Sequence, residues 1–269
     1  MKNKKQLSRE EKAEPELSYF ELQAYWGVSK PHMGGLKATK ELIELCHIDE
    51  NKYVLDVGCG VGVTPCYIAK KYGCRVVGVD ISEKMLSMAR ERAKRKRAGN
   101  RIKFMAADAQ NLPFRSNLFD AVISESVNAF VKDKKKAISE YIRVTKPGGY
   151  LGLNEATWIK EQPPADFVEY LSRITGAKFE TSDNWKKLLG KSGLKNIEVK
   201  TYKINALSQF INEIKYIGLG DILRGWYKFL SLGIKSSAFR EYLKEAWPPK
   251  SVFKNFFKYF GYGIYVGRK

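Results

Sequence analysis

The chain has 269 residues, 44% of them hydrophobic, which suffices for one α/β domain with an elaboration, or two small domains, around a sizeable core. A formal charge of +19 and a pI near 9.6 favour something anionic as a partner, whether nucleic acid, lipid headgroups or an acidic substrate, without choosing among them. The charged N-terminus lacks the apolar run of a secretory signal, no stretch reaches the length of a membrane span, and Cys46, Cys59, Cys66 and Cys74 have no C-x-x-C spacing. A disulfide framework and a metal site are therefore not expected, and a cytoplasmic setting is.

Residues 1–16 read as a polar lead-in. Apolar residues at helical spacing from Leu36 to Cys46 predict a helix, and "KYVLDVG" then predicts the first strand. "TPCYIAKKYG" is a helix closing at Gly73, "RVVGVDIS" a second strand, and "SEKMLSMARERAKRKRAG" a helix with Ser82 as N-cap and Gly99 as stop. Strands "RIKFMAAD", "FDAVISE" and "GGYLGLNE" follow, with the helix "KKKAISEYIRVTK" between the last two. This alternation predicts parallel βαβ units in a doubly wound, Rossmann-like α/β sheet. Further on, "SDNWKKLLGKSG" is a helix, "LKNIEVKTYKI" a sixth strand and "GYGIYVGRK" a seventh. The intervening residues 205–259, about a fifth of the chain, are too long for a turn and read as inserted helices.

The apolar strand "VLDVGCGVG" runs into Gly58, Gly60 and Gly62, where the missing Cβ lets backbone approach a ligand. A dinucleotide fingerprint G-x-G-x-x-G would need glycine at Val63. The pattern is instead D-x-G-x-G-x-G, with Asp56 suited to a cationic or hydroxyl-bearing ligand rather than pyrophosphate. Asp80 ends the second strand 22 residues after Gly58, where a carboxylate can accept from both ribose hydroxyls. Asp108 ends the third, where its carboxylate and the Ala109 N–H can read an adenine edge. A lone Asp at a strand end is usually a turn-former. Three at successive strand ends converge on one nucleoside.

"VLDVGCGVG", "VVGVD", "AADAQNLPF", "FDAVISE" and "VTKPGGYLGLNE", in this order and spacing, resemble the class I S-adenosylmethionine-dependent methyltransferases. The resemblance is to the small-molecule branch that includes ubiquinone and menaquinone, tocopherol, sarcosine and phosphoethanolamine methyltransferases, and it covers roughly residues 20–200 and the terminal strand. It implies seven strands with an antiparallel last one. It also implies S-adenosylmethionine as cofactor and S-adenosylhomocysteine as product. By that resemblance Asp56, Gly58 and Gly60 face the methionine part, Asp80 the ribose, Ile81 and Met85 the adenine surroundings, and Asp108 with Ala109 the adenine amino group. Ser124 and Glu125 would lie beside the sulfonium. "YFELQAYWGVSKPHMGGLKAT" resembles the cover folded over the cofactor, making Tyr25, His32 and Gly34 cofactor-proximal candidates.

Methyl transfer is an in-line displacement, for which an enzyme chiefly aligns donor and acceptor and excludes water. Glu125 and Glu155, at the ends of strands four and five, are the candidates for acceptor orientation or proton removal, with Asn128 a further acceptor-site candidate. The expected organisation is an N-terminal segment and cofactor cover (1–35), a core (36–204 and 260–269) and a helical lid or acceptor insertion (205–259). The insertion carries Phe253, Phe256, Phe257 and Phe260 at helical spacing beside Lys250, Lys254 and Lys258. That stripe suits packing against the fold, an amphiphilic acceptor or peripheral contact with a membrane. Lipid, quinone or amine acceptors are expected ahead of nucleic acid. After strand four, base-amino methylating relatives carry Asn or Asp followed by Pro-Pro and an aromatic, and this chain has "SESVNAF". RNA methylation through the basic surface and a non-catalytic, membrane-associated scaffold remain the alternatives.

Overall fold

The computed structural model describes residues 32–204 and 219–269. Strands β1 (Tyr53–Val57), β2 (Arg75–Asp80), β3 (Ile102–Ala106), β4 (Phe119–Glu125), β5 (Thr145–Trp158), β6 (Glu180–Thr181), β7 (Lys195–Lys203) and β8 (Phe260–Arg268) form one sheet. The spatial order is β3-β2-β1-β4-β5-β8-β7, with β6 paired to β5. β8 is antiparallel to both its neighbours, β5 and β7. The eighth strand, absent from the sequence expectation, exists because β5 runs on to Trp158, whose end pairs with Glu180 and Thr181.

Helices cover both faces. On one, α1 (Gly35–Leu45), α2 (Val63–Tyr72) and α3 (Glu83–Arg95) pack onto Val54, Val76, Ala121 and Ile123. On the other, α4 (Lys134–Val144) and α6 (Ser182–Lys191) pack onto Leu55, Val77, Val122 and Leu151. This alternation along each strand is the period-two consequence of a pleated backbone buried on both sides. A helix not expected from the sequence, α5 (Ala165–Thr175), packs Phe167 and Leu171 against Trp158. The expected stop of α3 at Gly99 lies elsewhere. Arg97 takes the left-handed conformation (φ 55°), and the Ala98 N–H donates to the Ala93 carbonyl, closing the helix before the glycine.

The sheet order reverses beside β1, whose neighbours are β2 and β4, so the glycine loop leaves the sheet at its topological switch point. β7 ends and β8 begins on this same carboxyl edge, where Lys203 pairs with Gly261. Between them lie α7 (Leu219–Lys235), α8 (Ser237–Glu245) and α9 (Lys250–Tyr259).

The phenylalanine stripe divides. Phe260 is not helical: it opens β8 and is buried against Trp158 and Phe179 at 5.2 and 4.8 Å between ring centroids. Phe256 leans on it at 5.2 Å, whereas Phe253 and Phe257 remain exposed. The insertion is thus pinned to the core through Phe260. Phe260→Ala is expected to cost about 3–5 kcal/mol of unfolding free energy in urea. Phe253→Ser is expected to cost under about 0.5 kcal/mol. Equal costs would contradict this division.

Candidate active site

Residues paired side by side in a sheet point to the same face, so strand register fixes which acidic groups can meet. Asp56 pairs with Gly78 on β2 and Ile123 on β4. Asp80 lies two residues beyond Gly78, and Glu125 two beyond Ile123. All three carboxylates therefore occupy the face covered by α1 and α2. Gly78 contributes no side chain there, and a Cβ at that position would meet Cys59 Sγ at 2.9 Å.

Asp56 is buried, and its Oδ2 has no hydrogen-bond partner among the described residues. Burial, then the negative charges of Glu125 and Asp80, push its carboxyl well above the usual range. Asp80 fastens the glycine loop to the end of β2. Its Oδ2 accepts from the Gly60 N–H at 2.9 Å and its Oδ1 from the Ser82 N–H at 2.9 Å. Burial raises its carboxyl too, against the lowering effect of those N–H donors. The loop rests on β2 through the Gly58 and Cys59 N–H groups, which donate to the Val79 carbonyl at 2.8 and 2.9 Å. Gly58 has φ 74°, and a Cβ there would stand 2.2 Å from Val127 Cγ2. Glycine is required twice over at this position, by conformation and by space.

Glu125 is the hub of a buried polar network joining four elements. Its carboxylate accepts from Thr64 Oγ1 at 3.0 Å on α2, from Asn154 Nδ2 at 3.1 Å on β5, and from Thr39 Oγ1 at 3.2 Å on α1. His32 Nδ1 lies 3.2 Å from Glu125 Oε2 and 2.9 Å from Asn154 Nδ2, while His32 Nε2 lies 2.9 Å from Thr39 Oγ1. With its proton on Nε2, His32 donates to Thr39, which donates to Glu125. His32, just before α1, is thereby tied to the glycine-loop helix and to β5.

Glu155 lies elsewhere. Glu125 pairs with Asn154, so the next residue points to the opposite face of the sheet. There Glu155 Oε1 accepts from the Val127 N–H (3.2 Å), the Asn128 N–H (3.0 Å) and Asn128 Nδ2 (2.8 Å). Asn128 Oδ1 in turn accepts from the Tyr141 hydroxyl at 3.0 Å. Complete burial pushes the Glu155 carboxyl up to about 7 despite these donors. The two glutamates thus serve separate sets of donors. The Ser124 side chain likewise turns to the Glu155 face, where its Oγ accepts from Asn128 Nδ2 at 3.2 Å. That orientation leaves only its backbone on offer beside Asp56.

The remaining candidates are dispersed. Ile81 projects outward at 78% exposure, whereas Met85 is buried against Val61 beneath the glycine loop. Asp108 is exposed, accepting from the Gln110 N–H at 2.8 Å beside buried Ala109. Gly34 (φ 81°) lets the chain enter α1 against Tyr262, whose ring would stand 2.6 Å from an added Cβ. Tyr25 lies outside the described residues. Thr39, Thr64, Asn154 and Tyr141 are participants the sequence did not single out. Among the described residues no cluster of His, Cys, Asp or Glu could hold a metal ion, and all four cysteines are buried and free.

A cationic nucleoside fits this arrangement. Asp56 Oδ2 lacks a donor among the described residues, its carboxyl is raised by burial and by the two neighbouring carboxylates, and the Asp80 oxygens, which accept from backbone N–H groups, retain acceptor capacity.

Residues 55–153 match the profile of the methyltransferase domain family. An uncharacterized methyltransferase of Bacillus subtilis is 32% identical over 180 residues, covering 67% of this chain and 76% of that protein. Phosphoethanolamine N-methyltransferase 1 of Arabidopsis thaliana is 34% identical over 140 residues, 52% of this chain, and the match spans only 28% of that longer protein. Among solved structures, phosphoethanolamine N-methyltransferase 2 of Haemonchus contortus in complex with S-adenosyl-L-methionine aligns with a TM-score of 0.70 at 22% identity. That alignment covers 95% of this chain and 58% of the other, and it shares the fold.

Glu155 generates a pH dependence. Its folded value of about 7 lies above the ordinary 4.5, so the fold favours the neutral carboxyl. That contribution is complete below the ordinary value and is lost as pH rises through the folded one. Glu155→Gln keeps an acceptor for the Val127 and Asn128 donors and cannot ionise. The unfolding free energy of the variant minus that of the parent is expected to rise by roughly 2.5 kcal/mol between pH 5 and pH 8. A difference that stays constant with pH would contradict this.

Proposed function

The chain belongs to the class I S-adenosylmethionine-dependent methyltransferases, and on that premise we propose that it methylates a small or amphiphilic acceptor, a lipid, quinone or amine, at the carboxyl edge of β1, β4 and β5. The observation that carries this reading is the convergence of Asp56, Asp80 and Glu125 on one face beneath the glycine loop. S-adenosylmethionine supplies an electrophilic methyl group on a sulfonium. Asp56 with the backbone at Gly58 and Gly60 is assigned to its methionine part, and Asp80 to the ribose hydroxyls. Ile81, Met85, Asp108 and Ala109 are assigned to the adenine.

Glu125 and Glu155 are best accounted for as positioning residues. Glu125 holds His32 and Thr39 against Thr64, which fixes α1 against the glycine-loop helix. Glu155 fixes the loop that begins at Ser126, through Val127 and Asn128. The main catalytic contribution is then approximation in a water-excluded site, and a base is required only for an acceptor that must lose a proton.

The names of the relatives support an amine among these acceptors, since phosphoethanolamine methyltransferases recur among them. The chain spans well under half the length of the plant enzymes, so it is compared with part of each of them. "SESVNAF" after β4, in place of a base-methylation motif, supports a non-polymeric acceptor over RNA.

Methyl-labelled cofactor incubated with the protein and cell extract, then separated into lipid, small-molecule and RNA fractions, is expected to label the first or second. Label confined to RNA would overturn the acceptor class. Asp80→Ala is expected to weaken cofactor affinity by roughly a hundredfold in calorimetry, for two lost hydrogen bonds to a charged acceptor. Glu125→Gln is expected to lower turnover more than cofactor affinity. Near-normal behaviour of both variants would refute the assignments.

A further inference from the structure

Helix α7 has an apolar side that the rest of the described structure leaves uncovered. Leu219, Leu223, Trp226, Leu230 and Ile234 recur at intervals of three and four residues, so they align along one face, and Tyr227 borders them. All six are exposed, Tyr227 at 74% and Ile234 at 81%. α7 packs through the side next to this apolar stripe, where Phe229 meets Phe239 of α8 at 5.1 Å between ring centroids and Trp226 of the stripe at 5.9 Å. At 100° per residue Arg224, Lys228 and Lys235 fall together on the polar side of the helix, roughly 140° round from the middle of the apolar stripe. The neighbouring α9 repeats the pairing, with exposed Phe253 and Phe257 beside Lys250, Lys254 and Lys258.

We propose that the exposed apolar stripe of α7, with the cations of the helix's polar side, docks the protein on an anionic lipid bilayer and so brings the catalytic edge to the membrane surface. Three features select this occupant. Trp and Tyr beside aliphatic residues on one stripe suit the headgroup level of a bilayer, and cations on the polar face of such a helix are attracted to anionic headgroups. No described helix is long and apolar enough to cross a membrane, so the helix lies on the surface. A formal charge of +19 on each copy opposes pairing of two such faces and favours an anionic counterpart. The insertion sits between β7 and β8, which end and begin on the edge bearing the glycine loop, and Tyr170 Oη donates to the Ala246 carbonyl at 2.6 Å to hold it there. The purpose given to this surface rests on the amphiphilic acceptor proposed above.

The test is co-sedimentation of the full chain with vesicles of phosphatidylglycerol and phosphatidylcholine against vesicles of phosphatidylcholine alone, with no turnover required. The parent is expected to partition onto the anionic vesicles. Trp226→Ser, Leu230→Ser and Ile234→Ser combined are expected to weaken that by on the order of a hundredfold. Lys228→Gln and Lys235→Gln are each expected to weaken it roughly fivefold. Cofactor affinity and melting temperature are expected to be those of the parent in all of these variants. Three outcomes would each overturn the proposal. They are equal or absent partition onto both vesicle types, a self-association in vesicle-free sedimentation velocity that the triple variant abolishes, and a large drop in melting temperature of that variant, which would mean that the chain itself covers the stripe. Loss of vesicle binding with methyl transfer to a soluble amine intact would remove the docking surface and leave the methyltransferase reading standing. Vesicle binding without label in the lipid or small-molecule fraction would do the reverse.

Discussion

Three carboxylates share one face of the sheet, and one of them, Asp56, is buried with an oxygen that has no hydrogen-bond partner among the described residues. Asp56 sits on the central strand between the strands that bear Asp80 and Glu125, and each of these charges makes the Asp56 anion harder to hold. Such a cluster favours either protons or a cationic, donor-rich ligand. A sulfonium nucleoside with an amino group and two ribose hydroxyls supplies both charge and donors. Asp80, besides belonging to the cluster, ties the glycine loop down by accepting from the Gly60 N–H.

The Glu125 network joins the elements that surround the carboxylate cluster. Thr39, Thr64, Asn154 and His32 come from four places in the chain and meet at one carboxylate. Removing that acceptor would leave several buried donors unsatisfied at once, a heavier cost than the loss of any one bond. The positions of His32, of α1 and of the glycine-loop helix α2 are therefore coupled through Glu125. On the other face Glu155 orders the loop after β4, so the site is braced from both sides of the sheet.

Much of this was legible in the sequence, for reasons that can be traced to particular residues. Asp56, Asp80 and the glycines interrupt apolar runs at strand ends, and the alternation of strands and helices places those ends on one edge. The opposed faces of Glu125 and Glu155 were not legible, because they depend on the register that sets Glu125 beside Asn154. The polar network was hidden for a similar reason, since Thr39 and Thr64 read as ordinary helix residues until folding joins them to Glu125. The aromatic stripe of the insertion misled at one position. Phe260 continues the helical spacing of Phe253, Phe256 and Phe257, yet the chain has already turned into β8, and periodicity carries no mark of where a helix stops.

The central claim, that the carboxylate cluster holds a cationic nucleoside, bears most directly on proton exchange. Asp56 is held above its ordinary range, so a ligand that needs its anion must expel a proton as it binds. The decisive measurement is calorimetric titration of S-adenosylmethionine at neutral pH in two buffers of different ionisation enthalpy. Net proton release, with affinity rising as pH rises, is the predicted result, and Asp56→Asn should abolish the release. Binding without proton release in the parent, or with the same release in the variant, would contradict the account.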